Sequence, residues 1–154
     1  MIDQGNSRYF GSAFSPNGQL IYVATSYINS NLIQFNLNAS NIYNSRDTII
    51  TLFQPIEAGG YLRLAPDDKI YWSCAWTNGI NYIYPYQDTM YHTENMNLSV
   101  INDPVVIGSG CNFSLYSYYL GGKRTYWGLP NNPDYGLGPV VGSLCDTINT
   151  VVEP

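Results

Sequence analysis

The sequence predicts an all-β fold, and three observations lead to that prediction. Aromatic residues make up 15% of the chain, fifteen of them tyrosine, and such side chains favour strands. Charged residues make up only 11%, too few for several solvent-exposed helices. The third observation is an internal repeat. Residues 14–23 and 64–72 both read as a short apolar strand, a proline-led polar turn and a second strand.

Each copy of the repeat contains the same kind of turn. Pro16 and Pro66 fix φ near −65° and lack an N–H donor, so each suits the first corner of a turn that follows a strand. Asn17 with Gly18, and Asp67 with Asp68, can take the remaining turn conformations. A weaker third copy lies at residues 126–131, where a proline again follows an apolar stretch.

The strands of the first repeat are predicted at residues 11–14, 20–26, 32–37 and 48–53. Those of the second repeat are predicted at 61–64 and 70–76. Residues 80–84 are either its third strand or part of an inserted hairpin before a strand at 98–102. Residues 87–97 lack an apolar helical stripe, so we expect a loop or a single helical turn there.

Repeats of this length point to propellers or solenoids. We predict a partial β-propeller of about two to three blades, each a four-stranded antiparallel sheet. Blade one covers about residues 9–53, blade two about 60–120, and a further blade starts at about 125 and extends to 154. Because propellers close with about 4–8 blades, we expect a fragment whose remaining blades come from the parent chain or from another copy.

Charge and hydropathy exclude two classes of partner. The formal net charge is −5, and the six lysines and arginines are scattered, so a phosphate-tracking surface for nucleic acid is not expected. No apolar run approaches the roughly 18 residues that span a bilayer. The chain opens with no basic-then-apolar signal sequence.

Several motifs resemble those of a known family. Residues 14–23 and 64–71 resemble the blade consensus of the YVTN and WD-like β-propellers. Residues 98–104, 110–113, 128–135 and 142–147 are similar to the end of the propeller region in large secreted surface proteins of Bacteroidetes. Those proteins belong to the type IX secretion or gliding-motility-associated type. The resemblance implies secretion or a cell-surface location, and a protein or carbohydrate partner in adhesion.

The resemblance also implies modification sites. Thr48, Thr89 and Thr147 each follow an aspartate and precede an apolar residue, which is similar to the O-glycosylation acceptor of Bacteroidetes. The alternative is that Asp-Thr is a common pair at the junction of a turn and a strand.

The three cysteines have different expected roles. Cys111 and Cys145 flank the segment 128–130 and can form a disulfide, which would contribute on the order of 3–4 kcal/mol. Cys74 lies within a strand and is expected to be a small buried hydrophobe. The chain has no Cys-x-x-Cys pair and a single histidine, so no metal site and no cofactor are expected.

A cluster of flat side chains is the candidate ligand-binding site. It consists of Trp72, Trp76, Asn78, Tyr82 and Trp127. Aromatic faces stack on sugar rings and on partner side chains. In the alternative reading, strand alternation places half of these aromatics in the layers between blades.

Catalysis is the rival class of function. His92 lies in a polar stretch that we expect to be a surface loop, so we do not expect it to form a nucleophile–histidine arrangement. Asp67 and Asp68 are explained by turn chemistry. The sequence therefore predicts a noncatalytic scaffold or binding module. The alternative is a propeller-type glycoside hydrolase or lyase that uses channel carboxylates, among Glu57, Asp67, Asp68, Glu94, Asp103 and Asp134.

Overall fold

The structure, a computed structural model, describes residues 8–26, 29–53, 57–76, 92–125 and 128–129. It confirms the all-β prediction, because eight strands form two four-stranded antiparallel sheets in which strands neighbour each other in chain order. Sheet 1 contains β1 (Arg8–Phe14), β2 (Leu20–Ser26), β3 (Asn29–Asn36) and β4 (Asp47–Phe53). Sheet 2 contains β5 (Glu57–Leu64), β6 (Ile70–Trp76), β7 (Asn97–Ile101) and β8 (Phe113–Tyr119).

The described connections contain only short helical pieces. A 3₁₀ turn at Tyr43–Ser45 precedes β4, and another at Gly108–Cys111 precedes β8. The helix α1 (Thr93–Met96) is the single turn expected within 87–97. None of these described helices has the length and apolar character to cross a membrane.

Sheet 2 differs from its predicted strand list. β7 pairs directly with β6, so the third strand is the segment that begins at Asn97. Residues 80–84, the other candidate, lie outside the described residues. The fourth strand, β8, was missing from the predicted strands, and it pairs with β7 through an irregular register at Leu98 and Val100.

The two proline turns have the same backbone shape. Gly18 N–H donates to the Ser15 carbonyl at 2.9 Å, and Asp68 N–H donates to the Ala65 carbonyl at 3.0 Å. Gly18 and Asp68 occupy the left-handed region, with φ of +68° and +61°. The side chain before each of them accepts a backbone N–H two residues on: Gln19 N–H to Asn17 Oδ1 at 3.1 Å, and Lys69 N–H to Asp67 Oδ1 at 3.3 Å.

The hairpins around these turns differ by one residue. The first hairpin aligns Phe14 with Ile21, whereas the second aligns Leu64 with Ile70. The second connection is therefore one residue shorter. Side chains along a strand alternate between the two faces of its sheet. A shift of one residue therefore places the residues of β6 on the opposite face from the residues of β2 with which the repeat aligns them.

The hydrogen bonds of the residue before each proline accompany this difference. The Ser15 hydroxyl accepts the N–H of Leu20 at 3.0 Å, which supports the longer connection. Ala65 has no hydroxyl, and its own N–H donates to the Lys69 carbonyl at 2.9 Å. The sequence repeat aligns Tyr22 with Trp72, but its structural counterpart in sheet 2 is the preceding residue, Tyr71, which lies on the opposite face from Trp72.

The main core lies between the sheets. Tyr22, Ala24 and Leu32 of sheet 1 pack in one cluster with Trp72 and Ile101 of sheet 2, all fully buried. Tyr71, the structural counterpart of Tyr22, is only half-buried and lies on the other face of sheet 2. The sheets therefore pack head to tail, with each contributing a different face to the shared core.

The second face of sheet 1 is also apolar. Val23, Ile33 and Phe35 are buried there and pack with Ile21. Antiparallel sheets of two-layer proteins commonly have one solvated face with polar residues. Burial on both faces is instead typical of a sheet that lies between neighbours.

A buried hydrogen-bond network, which we call the clasp, fastens a loop of sheet 2 to sheet 1. Gln34 Nε2 donates to the Tyr22 hydroxyl oxygen at 2.6 Å and to the Val106 carbonyl at 2.9 Å. Gln34 Oε1 accepts the N–H of Gly108 at 2.8 Å. The Tyr22 hydroxyl donates to the Pro104 carbonyl at 3.2 Å. Burial raises the pKa of Tyr22, so the phenol remains a neutral donor.

Candidate functional site

The first strand of each sheet is bulged at a matching place. In β1 the register shifts between Tyr9 and Gly11, and in β5 it shifts between Gly59 and Leu62. A bulge bends a strand and re-aims its side chains. The two strands also approach closely here, because a Cβ on Gly11 would lie 2.9 Å from the Cα of Tyr61. Glycine at this position lets β5 lie against β1.

The backbone of Tyr61 is held by a serine from the neighbouring strand. The N–H of Tyr61 donates to Ser73 Oγ at 3.1 Å, and the Ser73 hydroxyl donates to the Tyr61 carbonyl at 3.3 Å. Ser73 is fully buried. A buried backbone group without a partner costs free energy, so this hydroxyl satisfies what the bulge displaces from the ladder.

Trp72 supports the same bulge from the core. Its indole Nε1 donates to the Gly60 carbonyl at 3.2 Å. A Cβ on Gly59 would overlap the indole ring, so a glycine is required there. Trp72 is 0% exposed, and therefore takes a core position and not the surface position that a ligand-stacking residue needs.

These contacts place Tyr61 at the edge of a cavity. Its side chain is 50% exposed and meets Phe10 edge to face, with ring centroids 5.7 Å apart and planes at 80°. The cavity has a volume of about 420 Å³, within the ~300–1,000 Å³ typical of ligand pockets. We name it the bulge site; its described lining is Tyr61, Leu62, Arg63, Gly128 and Leu129.

The lining of the bulge site suits binding. Tyr61 offers a flat ring with a polar tip, and Arg63 offers a planar cation with up to five N–H donors. Of the lining residues that the structure describes, Arg63 alone is charged, and none is a carboxylate, histidine, cysteine or serine.

Of the sequence-predicted ligand residues, Trp72 is the one whose side chain the structure describes, and it lies in the core. Trp76 ends β6 opposite Glu57, and its side chain lies outside the described part of the structure. Asn78, Tyr82 and Trp127 also lie outside the described residues, so their ligand role stays a prediction. Tyr61 and Arg63 were missed. The signal that could have found them is the Gly59-Gly60 pair inside a strand, which often marks a bulge.

The cysteines are buried. Cys74 is 0% exposed, as predicted, and its Sγ lies 4.0 Å from the Ser99 hydroxyl oxygen. Cys111 is also buried, and burial raises the pKa of its thiol. Its predicted partner Cys145 lies outside the described residues, and the disulfide stays a prediction.

Other predicted positions are distributed over the fold. Thr48 is exposed on β4, whereas Thr89 and Thr147 lie outside the described residues. His92 lies in irregular backbone immediately before α1 and is partly buried. Asp67 and Asp68 occupy the turn as predicted. Within the described ranges, no group of three or more metal-ligating side chains occurs.

Comparison with known proteins does not assign the chain to a family. No protein-family model, curated protein or solved structure matches the chain, so the resemblance to secreted Bacteroidetes propellers stays a prediction from sequence motifs.

Proposed function

We propose that this chain is a noncatalytic binding module of a secreted or cell-surface β-propeller protein, and that it binds glycan at the bulge site. The observation that carries the proposal is the half-exposed ring of Tyr61, which packs on Phe10 beside a cavity of about 420 Å³ while Ser73 bonds the Tyr61 backbone. A ring that is ordered before binding loses little conformational entropy in the complex.

The propeller part of the proposal is supported by the relation between the sheets. Both sheets have four antiparallel strands in chain order, matching proline turns and matching bulges. In head-to-tail packing each sheet leaves a free face that can receive a further sheet in the same way. Two sheets that pack through the same face leave no such complementary surface, so the stack ends at two layers. The remaining blades would come from the parent chain or from another copy, and the molar mass of the purified chain in solution separates these two sources.

The noncatalytic part is supported by the described lining of the bulge site. Glycoside hydrolysis generally uses two carboxyl groups that flank the scissile bond. The described lining contains a cation and no carboxylate. The secreted or cell-surface location is taken from the resemblance to the Bacteroidetes surface proteins. Thr48 is exposed on β4 and would be accessible to a glycosylating enzyme.

A glycan array probed with the purified chain tests the binding function. We expect binding to a subset of glycans, and we expect Tyr61→Ala to weaken it at least tenfold. Tyr43→Ala is the matched control, since Tyr43 is 52% exposed but lies on the 3₁₀ turn before β4. Glycan binding that is unchanged in Tyr61→Ala would exclude the bulge site. Tyr61-dependent capture of a protein, without any glycan binding, would make protein the ligand instead.

A further inference from the structure

We infer that the bulge site selects acidic sugars, with the sugar ring on Tyr61 and its carboxylate on Arg63. The inference rests on the proposed function, and it names the chemical class of glycan that the site takes.

The charge of the lining is opposite to that of the chain. The chain carries eleven acidic and six basic residues, a net charge of −5, yet the one charged residue in the described lining of the cavity is Arg63. An anion is repelled by the chain as a whole, so a bound anion needs a local cation. A guanidinium matches a carboxylate through two parallel hydrogen bonds. Its five donors allow contacts within the protein and with a ligand at the same time.

The strand sets the relative position of the two side chains. Leu62 is buried in the core between the sheets, and its neighbours Tyr61 and Arg63 line the cavity. Because the bulge between Gly59 and Leu62 interrupts the regular alternation of side chains, Tyr61 and Arg63 line one cavity from Cα positions at most roughly 7 Å apart. That spacing suits one sugar ring with its carboxylate, because the ring can cover the phenol while the carboxylate reaches the guanidinium.

The two residues contribute differently to affinity. Stacking on Tyr61, with Phe10 behind it edge to face, is available to neutral and acidic sugars alike. Pairing with Arg63 is available only to the acidic ones. The preference for acidic sugars should therefore depend on Arg63, while binding of any sugar should depend on Tyr61.

Calorimetric titration with two probes tests the inference: a glucuronate-terminated disaccharide and its glucose-terminated counterpart. We expect the acidic probe to bind at least tenfold more tightly. Arg63→Gln should remove that preference and leave the affinity for the neutral probe unchanged. Arg46→Gln, which changes an exposed arginine before β4, is the matched control and should bind both probes as the unaltered chain does. Circular dichroism establishes that each variant is folded.

The outcomes separate the inference from the proposed function. Equal affinity for the two probes, or an undiminished preference in Arg63→Gln, would overturn the acidic specificity; if both probes still require Tyr61, the glycan-binding function stands. Failure to bind either probe would also overturn the inference. In that case Tyr61-dependent binding on the glycan array decides the proposed function independently.

Discussion

Gln34 donates a hydrogen bond of 2.6 Å to the hydroxyl of Tyr22, and both side chains are buried between the two sheets. Through this pair, sheet 1 holds the loop that connects β7 and β8 of sheet 2. Polar groups in such a buried network are costly to leave unpaired, so the clasp specifies how the loop docks.

Replacing Gln34 by leucine should therefore destabilise the chain by about 2–4 kcal/mol, because the Val106 carbonyl and the Gly108 N–H both lose a buried partner. Urea unfolding measures the change. Gln19→Leu, at an exposed turn position, should alter stability by less than about 0.5 kcal/mol.

Tyr22→Phe tests whether the clasp acts as one unit. It removes the bond to the Pro104 carbonyl and the acceptor for Gln34, and should cost about 1–2 kcal/mol. Since the two residues share a network, the double variant should lose less than the sum of the single losses. Strict additivity would mean that the two side chains act independently.

Gly59→Ala should destabilise the fold by about 1–3 kcal/mol, because the added methyl overlaps the buried Trp72 ring. A smaller core residue should make room, so the loss from Gly59→Ala should be reduced in a Trp72→Leu background. Gly128→Ala is the control, as a Cβ there meets nothing within 4 Å. Equal losses in both backgrounds would contradict the steric explanation.

One substitution in each proline turn should change the stability of the chain, in opposite directions. Asp68→Gly should stabilise the chain by about 0.5–1 kcal/mol, because glycine adopts its φ of +61° without strain. Gly18→Ala should destabilise it by about 1 kcal/mol for the same reason, although a Cβ there has open space. Thermal unfolding of both variants measures this. A stabilising Gly18→Ala would show that the first turn changes shape.

Tyr71 should make stability fall at alkaline pH. Burial, together with the hydrogen bond of 2.8 Å that its hydroxyl donates to Asp67, raises its pKa from 10.0 to about 12. Because the fold favours the neutral phenol, this contribution is complete below pH 10 and is lost as pH rises through about 12. Unfolding free energies should therefore depend less on pH in Tyr71→Phe.

Asp67→Asn refines this test, since it copies the residue at the same place in the first turn. The amide oxygen can still accept the Lys69 N–H, but the negative charge that disfavours tyrosinate is gone. The pKa of Tyr71 should move toward 10, which tyrosinate absorbance detects against the Tyr71→Phe background. An unmoved titration would assign the shift to burial alone.

Ser73→Ala should loosen the bulge that presents Tyr61. We expect a loss of about 1–3 kcal/mol, because the N–H and carbonyl of Tyr61 lose their shared partner. Glycan affinity should fall as well, although Ser73 touches no ligand. Ser73→Thr keeps the hydroxyl and should recover part of both losses. Unchanged affinity in Ser73→Ala would show that the Phe10 contact alone positions the ring.

The features that the sequence predicted correctly are those that depend on neighbouring residues along the chain. Both proline turns and the strands that flank them follow from residue types at fixed offsets, and the structure confirms these elements within a few residues. The faces of β6 were not predictable from the repeat, since they depend on a connection that is one residue shorter in the second hairpin than in the first. The same difference explains why Trp72, aligned with Tyr22 by sequence, lies on the other face.

The site was less predictable than the fold. Tyr61 lies in a bulge whose backbone N–H and carbonyl bond to Ser73, twelve positions later in the chain. The clasp likewise joins Gln34 to a loop more than seventy positions away. Composition and spacing do not encode such long-range partners, whereas an isolated Gly-Gly pair in a strand does mark where to search.

Each sheet contributes a different face to the shared core, and this arrangement has a consequence for how such a protein evolves. When one face of a layer complements the other face of its copy, duplication of a single coding segment supplies a new layer together with the surface that receives it. Recombination between the repeated segments then adds or removes whole layers. Each added copy brings its own bulged first strand, on which the exposed side chain can diverge while the interface stays the same.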